Sequence, residues 1–226
     1  MTEFSPDYLV GIDEVGRGPL AGPLCVGAFL VERKKLPVTL KALRGIHDSK
    51  QLSSAERERW LSKIETLAES GSCRFSTTFV HSSSIDQQGM AKALHLAVAR
   101  VLFNLAVHPA KCFVLLDGTL RAPAVFQLQE SIIDGDENEP LIATASVIAK
   151  VRRDRHMVGL AKRFPEYGFE EHKGYGTRKH YEALQEYGVS EVHRKSFLRK
   201  FQFPNTNLQT ISNTQIQKAQ TRAVLV

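Results

Sequence analysis

Residues 8–22 read YLVGIDEVGRGPLAG, a stretch in which an apolar run leads into two acids and a glycine-rich segment. Its first residues, Tyr8 to Ile12, are rich in β-formers and predict a short strand. The strand ends on two adjacent carboxylates, Asp13 and Glu14, which a glycine-rich turn follows at once. Two carboxylates at the end of a buried strand cost stability unless a cation compensates their charge. The stretch therefore predicts a divalent-cation site beside a backbone that another molecule can approach closely.

The glycines also resemble a dinucleotide-binding fingerprint, but their spacing argues against that function. Gly16, Gly18 and Gly22 follow the pattern G-x-G-x-x-x-G, which is one residue longer than the fingerprint. Pro19 also lacks the amide that a phosphate cradle would use. A tight turn beside two solvated acids is the alternative without function, and residues 8–22 alone leave it open.

The composition of the 226 residues is that of a globular protein, with 42% hydrophobic and 24% charged residues. No apolar run approaches the roughly 20 residues that span a bilayer, and the first residues show no basic region before an apolar run. The three cysteines are isolated and form no C-x-x-C pair. We therefore expect reduced thiols in a cytoplasmic protein that does not engage a membrane.

The net charge of +6 is concentrated in one segment. Between Lys150 and Lys200, 13 Lys and Arg residues stand against 7 Asp and Glu residues, so the rest of the chain is balanced. A basic segment beside an acidic site suits a polyanion that is held by its backbone while metal ions act on one phosphate. A solvated basic helix face also explains the charge.

The order of strands and helices predicts an α/β sheet that is covered by helices. Ser53 and Glu56 match a capping box before an amphipathic helix, and Ser84 with Gln87 offers a second one. Residues 32–39 are predicted as a loop. Strands are expected at residues 8–12, 24–31, 73–80 and 111–116, with a weaker one within 125–133, and a long helix with Asn138 as its cap and Pro140 in its first turn is expected to end at Arg163.

Carboxylates follow three of the predicted strands. The first strand ends on Asp13 and Glu14, the fourth on Asp117, and the fifth near Asp134 or Asp136. Because active groups gather at strand ends in such sheets, four carboxylates from three strands could meet in one cleft. Their charges would raise one another's pKa values unless cations intervened. Oxygen-only ligands suit Mg²⁺ or Mn²⁺, so we predict a site for two such ions.

Several separate motifs of the chain, in the right order over about residues 8 to 200, resemble the ribonuclease HII family. The motifs are Asp13 to Pro23 (DEVGRGPLAGP), Asp48 to Leu52 (DSKQL), Leu116 to Gly118 (LDG), Ala145 to Val151 (ASVIAKV) with Arg153 to Arg155 (RDR), and His172 to Thr177 (HKGYGT).

This resemblance implies a ribonuclease H-like fold of the α/β class, with a five-stranded mixed sheet flanked by helices and a small helical C-terminal part. We expect a catalytic domain over residues 1–165 and a helical substrate-binding extension over residues 166–203. Residues 204–226 are rich in Asn, Gln and Thr and are expected to form a polar, poorly ordered tail.

The resemblance also implies the activity. Members of the family cut the RNA strand of RNA–DNA hybrids and nick duplex DNA on the 5′ side of an embedded ribonucleotide. They use Mn²⁺ or Mg²⁺ and leave 3′-hydroxyl and 5′-phosphate ends. The expected partners are thus RNA–DNA hybrids and ribonucleotide-containing duplexes, acted on by a monomer.

By resemblance, the metal ligands and catalytic residues are Asp13, Glu14, Asp117 and Asp136. We prefer Asp136 to Asp134 because the family motif has Gly-Asp, then a short polar stretch and then a helix. Asp134 and Glu137 crowd the same place, so the choice between the two aspartates depends on this motif.

The substrate-binding residues also follow from the resemblance. The backbone of Gly16, Arg17 and Gly18 is expected to read the ribose 2′-hydroxyl, which distinguishes RNA from DNA. Tyr175 is expected against the neighbouring deoxyribose, where it would select a ribo-to-deoxy junction. A half-buried core aromatic is the alternative for this tyrosine.

Phosphate contacts are expected from two further places. His47, Asp48, Ser49 and Lys50 resemble a phosphate-contacting loop, with Lys50 as the strongest choice. Ser146 and Lys150 lie one helical turn apart, so both could face one phosphate. Arg153 and Arg155 are expected either to extend the basic surface or to pair with acids.

Two other functions are compatible with the residues. One is a different nuclease of the same fold, such as a junction resolvase, which would not need a ribose. The other is a non-catalytic module that binds hybrids. Carboxylates argue against the second, because without metal ions they only weaken phosphate binding.

Overall fold

The computed structural model describes residues 6–46 and 52–199. One mixed sheet of five strands, in the order β3-β2-β1-β4-β5, forms its centre. β1 pairs antiparallel with β2, and β2 with β3, whereas β4 runs parallel to both β1 and β5. The carboxyl ends of β1, β4 and β5 therefore meet at one edge, which confirms the predicted sheet. The strands are β1 (Tyr8–Val15), β2 (Leu24–Glu32), β3 (Arg74–Val80), β4 (Cys112–Asp117) and β5 (Gln129–Ile132).

Helices cover both faces of this sheet. The described residues also contain four short 3₁₀ turns, at Arg33–Lys35, Pro109–Lys111, Pro165–Tyr167 and Lys195–Phe197. In the described part of the chain the α-helices are α1 (Leu36–Ala42), α2 (Ser54–Glu69), α3 (Ser82–Gln88), α4 (Met90–Asn104), α5 (Gly135–Asn138), α6 (Pro140–Arg163), α7 (Phe169–His172) and α8 (Arg178–Tyr187).

The long helix α6 packs directly on the sheet and places its residues beside the end of β1. It lies so close that a Cβ atom at Gly11 would come 2.2 Å from the carbonyl carbon of Leu141, so β1 needs a glycine there. The same face buries Phe29 and Leu115 with Ile148 of α6. The opposite face of the sheet packs against α4. Helices thus cover both faces of the sheet, and the acids lie at the ends of buried strands.

Three local expectations about helices have different outcomes. The capping box is confirmed: the Ser53 hydroxyl accepts from the amide of Glu56, whose carboxylate accepts from the amide of Ser53. The second box is wrong, because α3 begins with His81 as its cap and Ser84 lies inside the helix. The cap of α6 is Glu139 rather than Asn138. Asn138 closes the short helix α5 instead, and its side chain donates to the carbonyl of Asp134.

Residues 32–39 were expected to form a loop, and this expectation is wrong. A 3₁₀ turn at Arg33–Lys35 leads directly into α1, whose second residue is Pro37. Proline is tolerated in the first turn of a helix because the amide it lacks would have no partner there. The proline therefore marks the start of this helix rather than a break.

The C-terminal part of the chain builds a third, smaller core with the loop that follows β1. Leu20 and Ala21 of that loop are buried against Met157 of α6 and against Phe169 and Leu184. This core ties the C-terminal helices to the loop beside the acids. The boundary expected at residue 166 stays a prediction, and the tail at 204–226 lies outside the described residues.

Two further observations concern the described residues only. No helix among them is both long enough and apolar enough to cross a membrane. Cys25, Cys73 and Cys112 are buried free thiols, and burial raises the pKa of Cys25 to about 12. The thiols are thus inert packing residues.

Candidate metal centre and nucleic-acid interface

Three of the expected carboxylates lie together at the edge where β1 and β4 end. Asp13, Glu14 and Asp117 each offer an oxygen within 4.8 Å of the others. The parallel register explains this meeting, because Ile12 pairs with Leu116, Asp13 and Asp117 come one residue later on their strands, and Glu14 follows Asp13. Three oxygen donors at this spacing could hold hard divalent cations.

Burial makes these acids costly in the absence of a cation. Burial raises the pKa of Asp13 well above its ordinary value, and the charges of Glu14 and Asp117 raise it further. Burial also raises the pKa of Glu14, while Arg17 opposes this by donating to Glu14 Oε1 at 3.1 Å. The other oxygen of Glu14, Oε2, is buried without a hydrogen-bond partner in the described structure. A buried carboxylate oxygen without a hydrogen-bond partner is suited to bind a cation.

The two alternatives for a fourth acid lie in different surroundings. Asp136 is 4% exposed, and its amide donates to Asp117 Oδ1 at 3.3 Å, next to the amide of Gly135 at 2.8 Å. Asp134 is exposed and takes a left-handed conformation, with φ of 52°, as the residue that precedes α5. Asp136 does not belong to the group of three acids, but it is the buried aspartate beside it.

The loop between β1 and β2 runs past the acids and is held from below by two buried arginines. Arg194 donates to the carbonyls of Gly16, Arg17 and Gly22 at 2.7, 2.9 and 3.0 Å. Arg153 of α6 donates to the carbonyl of Pro23 at 2.9 Å. The carbonyls of Gly16 and Arg17 thus point toward Arg194, while Arg17 and Gly18 are exposed.

Tyr175 lies on the open side of this loop. Tyr175 is 42% exposed, and a Cβ atom at Gly18 would come 3.9 Å from the Cε1 atom of Tyr175. Tyr175 does not belong to the three hydrophobic clusters of the described residues, and its role at the substrate stays a prediction. The preceding turn is closed by His172, whose Nδ1 accepts from the amide of Gly174 at 3.2 Å and whose Nε2 donates to the carbonyl of Tyr167.

Two residues expected at a phosphate have partners inside the protein. The buried Ser146 hydroxyl bonds to the carboxylate of Asp13, which lowers the pKa of that acid and opposes the effect of burial. Lys150 donates to Asp154 Oδ1 at 2.9 Å, one helical turn further along α6. The phosphate-contacting loop, with His47, Asp48, Ser49 and Lys50, lies outside the described residues.

The two arginines of the RDR motif have separate surroundings. Arg155 pairs with Glu58 of α2, as one of the two expectations had it. Arg153 is fully buried and is bound to carbonyls, so it does not extend the basic surface, and it forms no ion pair with an acid of the described residues.

Comparison with known proteins identifies the family of the chain. The family model described as Ribonuclease HII matches residues 10–206. The chain belongs to the ribonuclease HII family. A ribonuclease HII of Caldicellulosiruptor bescii is 40% identical over 194 residues, which are 85% of this chain and 87% of that protein. The chain is accordingly a ribonuclease H-type endonuclease.

Solved structures of ribonucleases share its fold. The ribonuclease HII of Archaeoglobus fulgidus, in a structure of its complex with PCNA, is 25% identical, with a TM-score of 0.66 over 88% of this chain and 98% of that chain. Bst-RNase HIII, in a structure with Mn²⁺, has a TM-score of 0.62 at 20% identity over 88% of this chain and 64% of that chain. The ribonuclease H-like fold expected from the motifs is thus confirmed.

In this ribonuclease HII chain, one residue beside the site was missed by sequence reasoning. Arg194 belongs to a basic segment and follows His193 in the sequence, so composition placed it on a charged surface. The structure buries it completely beneath the loop at residues 16–22. No local pattern distinguishes a buried arginine from an exposed one, because its partners are carbonyls 172 to 178 residues away.

Proposed function

We propose that this ribonuclease HII cuts the RNA strand of RNA–DNA hybrids and nicks duplex DNA on the 5′ side of an embedded ribonucleotide. The products carry 3′-hydroxyl and 5′-phosphate ends. The observation that supports this most is a juxtaposition at one edge of the sheet. Three carboxylates lie at the strand ends, and the loop that begins at Gly16 passes directly beside them.

The divalent ions in this proposal are Mn²⁺ or Mg²⁺, held by Asp13, Glu14, Asp117 and Asp136. The donors fit these ions, since all are oxygens, three lie within 4.8 Å of one another, and Glu14 Oε2 lacks a partner. When bound, a pair of such ions stabilises both the entering and the leaving oxygen of an in-line phosphoryl displacement. A structural relative, Bst-RNase HIII, has been solved in complex with Mn²⁺.

The protein residues hold and orient the groups around these ions. The amides of Gly135 and Asp136 donate to one oxygen of Asp117 and so restrict the rotation of its carboxylate. The hydroxyl of Ser146 orients Asp13 by a hydrogen bond to its carboxylate. Arg17 balances part of the charge of Glu14. These contacts pre-organise the carboxylates before substrate binds.

Recognition of the ribose is assigned to the loop and to Tyr175. Gly18 is exposed and has no side chain, so the backbone of residues 16–18 can approach the sugar edge and contact its 2′-hydroxyl. Tyr175 stands next to Gly18, one sugar further along in this arrangement, and packs against the following deoxyribose. The loop at residues 47–50, with Lys50, and the lysine at position 150 contact neighbouring phosphates. Lys150 would exchange its bond to Asp154 for one to phosphate.

The test is cleavage of two duplexes that differ by one hydroxyl group. One DNA duplex carries a single ribonucleotide, and its twin is entirely deoxy. With Mn²⁺ present, we expect a nick only in the first duplex, immediately 5′ of the ribonucleotide, with the ends identified by ligation and phosphatase treatment.

Other outcomes would favour the other functions. Equal cutting of both duplexes would contradict recognition of the ribose and favour a junction-type nuclease. Salt-sensitive binding without product under any divalent ion would favour a hybrid-binding module. A monomer located in the cytoplasm is part of the proposal, and sedimentation of the purified chain tests the first of these statements.

A further inference from the structure

One dipeptide, His193–Arg194, supports two elements beside the acids. These are the loop between β1 and β2 and the turn at residues 172–175, called here the Tyr175 turn. Arg194 is fully buried, and its guanidinium spans the loop from Gly16 and Arg17 at one end to Gly22 at the other. Its backbone amide also donates to the carbonyl of Leu20 at 2.7 Å. A buried guanidinium bound to carbonyls is costly, and burial lowers the pKa of Arg194 to about 9. The three hydrogen bonds of the guanidinium offset this cost and hold the loop in its conformation.

His193 extends the same support to the Tyr175 turn through a second histidine. The amide of Ser190 donates to His193 Nδ1 at 3.0 Å, so in the neutral ring the proton lies on Nε2. That nitrogen lies 3.0 Å from His180 Nε2 and donates to it. The proton of His180 is then on Nδ1, which donates to the carbonyl of Tyr175 at 2.9 Å. In each imidazole ring, therefore, one nitrogen donates a hydrogen bond and the other accepts one.

The two loops also touch each other, so their spacing is defined from several directions. The amides of Leu20 and Ala21 both donate to the carbonyl of Gly174, at 2.8 and 3.3 Å. Ala21 forms a β-bridge with His193. A shift of the His193–Arg194 dipeptide would therefore move Gly16–Gly18 and Tyr175 relative to each other.

We propose that His193–Arg194, with His180, is a positioning element that fixes the distance between the 2′-hydroxyl-reading loop and Tyr175, and so sets the preference for a ribose followed by a deoxyribose. This inference rests on the proposed function, which assigns one sugar to each of the two elements. None of the three residues needs to contact the substrate. Arg194 acts on the loop and His180 on the turn, so the two residues should affect different parts of the specificity.

The first experiment compares Arg194→Lys with the wild type on a single-ribonucleotide duplex and on a continuous RNA–DNA hybrid. Lysine keeps the charge but cannot span three carbonyls, so at least two hydrogen bonds from a charged group are lost. We expect kcat/KM on the single-ribonucleotide duplex to fall at least about tenfold, with a smaller loss on the hybrid. The control is Arg163→Lys, the same substitution at an exposed ion pair with Glu191, which should leave both rates unchanged.

A purely structural role would give a different result. It would lower the melting temperature and the folded fraction, but the folded enzyme would keep the wild-type ratio of the two rates and the wild-type KM. That result for Arg194→Lys would overturn the proposal. Mn²⁺ affinity, measured by titration of the free enzyme, should stay within about threefold of the wild type, because the carboxylates are not moved.

The second experiment does not depend on the folding of an Arg194 variant. His180→Phe keeps an aromatic ring but removes the donor to Tyr175, and Tyr175→Ala removes the ring that the donor positions. We expect each to reduce the preference for the single-ribonucleotide duplex over the hybrid, and the double variant to be no worse than Tyr175→Ala alone. Additive losses, or an unchanged preference in either variant, would contradict the proposal.

The proposed function and the positioning role of His193–Arg194 can fail separately. If the wild-type enzyme cuts the all-deoxy duplex as well as the ribonucleotide duplex, the proposed function itself is wrong. If the wild type discriminates but the Arg194 and His180 variants keep its preference, only the positioning role is wrong, whereas an unchanged preference in Tyr175→Ala would also contradict the assigned role of Tyr175.

Discussion

Asp117 is the residue at which three elements of the site meet. It is the last residue of β4, it lies within the group formed with Asp13 and Glu14, and it accepts from the amides at the start of α5. Two amides on one oxygen restrict the rotation of the carboxylate. A side chain held in this way is suited to bind a cation without reorganisation.

We expect Asp117→Asn to remove most of the turnover while substrate binding is retained. The amide is nearly the same shape, but it lacks the charge that holds a cation. The expected loss in kcat is at least about a hundredfold, with KM for the duplex changed by less than about threefold. Steady-state kinetics on the single-ribonucleotide duplex measure both. A variant with near wild-type kcat would show that Asp117 is not a metal ligand.

The pair Asp134 and Asp136 offers a matched comparison two residues apart. Asp136→Asn is expected to lower kcat at least about tenfold, because a buried carboxylate beside Asp117 loses its charge. Asp134→Asn should stay within about twofold of the wild type, because this side chain is exposed and asparagine also tolerates a left-handed backbone. The opposite order of the two effects would move the fourth ligand to Asp134.

At the scale of elements, the loop between β1 and β2 is shaped by contacts with distant parts of the chain. Gly16 has φ of +92°, and a Cβ atom there would come 2.2 Å from Nε of Arg153. The position thus excludes side chains for two independent reasons, backbone conformation and space.

Gly16→Ala should separate these two reasons when it is compared with Gly45→Ala. Gly45 has φ of +93° and open space around its missing Cβ, so its substitution adds only backbone strain of about 1 kcal/mol. At Gly16 the buried Arg153 must also move, and we expect a total loss of at least about 3 kcal/mol in the free energy of unfolding. Urea denaturation of both variants provides the comparison. Equal losses would show that Arg153 yields without cost.

At the scale of the whole molecule, six of the twelve Lys and Arg side chains between Lys150 and Arg199 form ion pairs within the described structure. The expected basic surface therefore carries fewer unpaired charges than the composition indicates, although the exposed pairs among the six contribute little to stability. The ion pairs are Lys150–Asp154, Arg152–Glu65, Arg155–Glu58, Arg163–Glu191, Arg178–Glu182 and Lys179–Glu171.

Divalent ions should stabilise the folded protein as a whole. Ions that bind only the folded state add about 2.7 kcal/mol at a hundred times their Kd, so Mn²⁺ should raise Tm in a concentration-dependent way. Asp13→Asn should lose most of this gain. Without metal, the same variant should be at least as stable as the wild type, because a buried charge beside Glu14 is removed. Thermal denaturation with Mn²⁺ and with EDTA measures both, and an unchanged Mn²⁺ response would exclude Asp13 as a ligand.

The stability of the protein should also depend on the buried histidine pair. Burial lowers the pKa of His180 to about 4 and that of His193 to about 3, whereas both are near 6.5 in the unfolded chain. The unfolded state therefore binds more protons between these values, and stability should fall as the pH decreases from about 6.5 toward 4.

Each histidine contributes up to about 1.4 kcal/mol per pH unit in that window. Urea denaturation between pH 7 and pH 5 measures the slope for the wild type and for His193→Phe. The variant removes one titrating ring, so its slope should be smaller. Equal slopes would mean that His193 does not remain neutral in the folded protein.

The order of the strands, the acids that end them and the family motifs could all be recognised from the amino-acid sequence. Each depends on residues that are neighbours along the chain, such as the run from Tyr8 to Glu14 or the capping box at Ser53. Parallel strands then bring Asp13 and Asp117 together almost without further information, since the carboxyl ends of β1 and β4 share one edge.

Only the tertiary structure decided which polar residues face inward. It buried Asp136 and exposed Asp134, paired Lys150 with Asp154, and placed Arg153 and Arg194 beneath the loop at residues 16–23. The physical reason is that a charged side chain has the same local pattern whether it is solvated or buried. Its position is set by partners distant in sequence, such as the carbonyl of Gly16 for Arg194, and these partners become neighbours only when the chain folds.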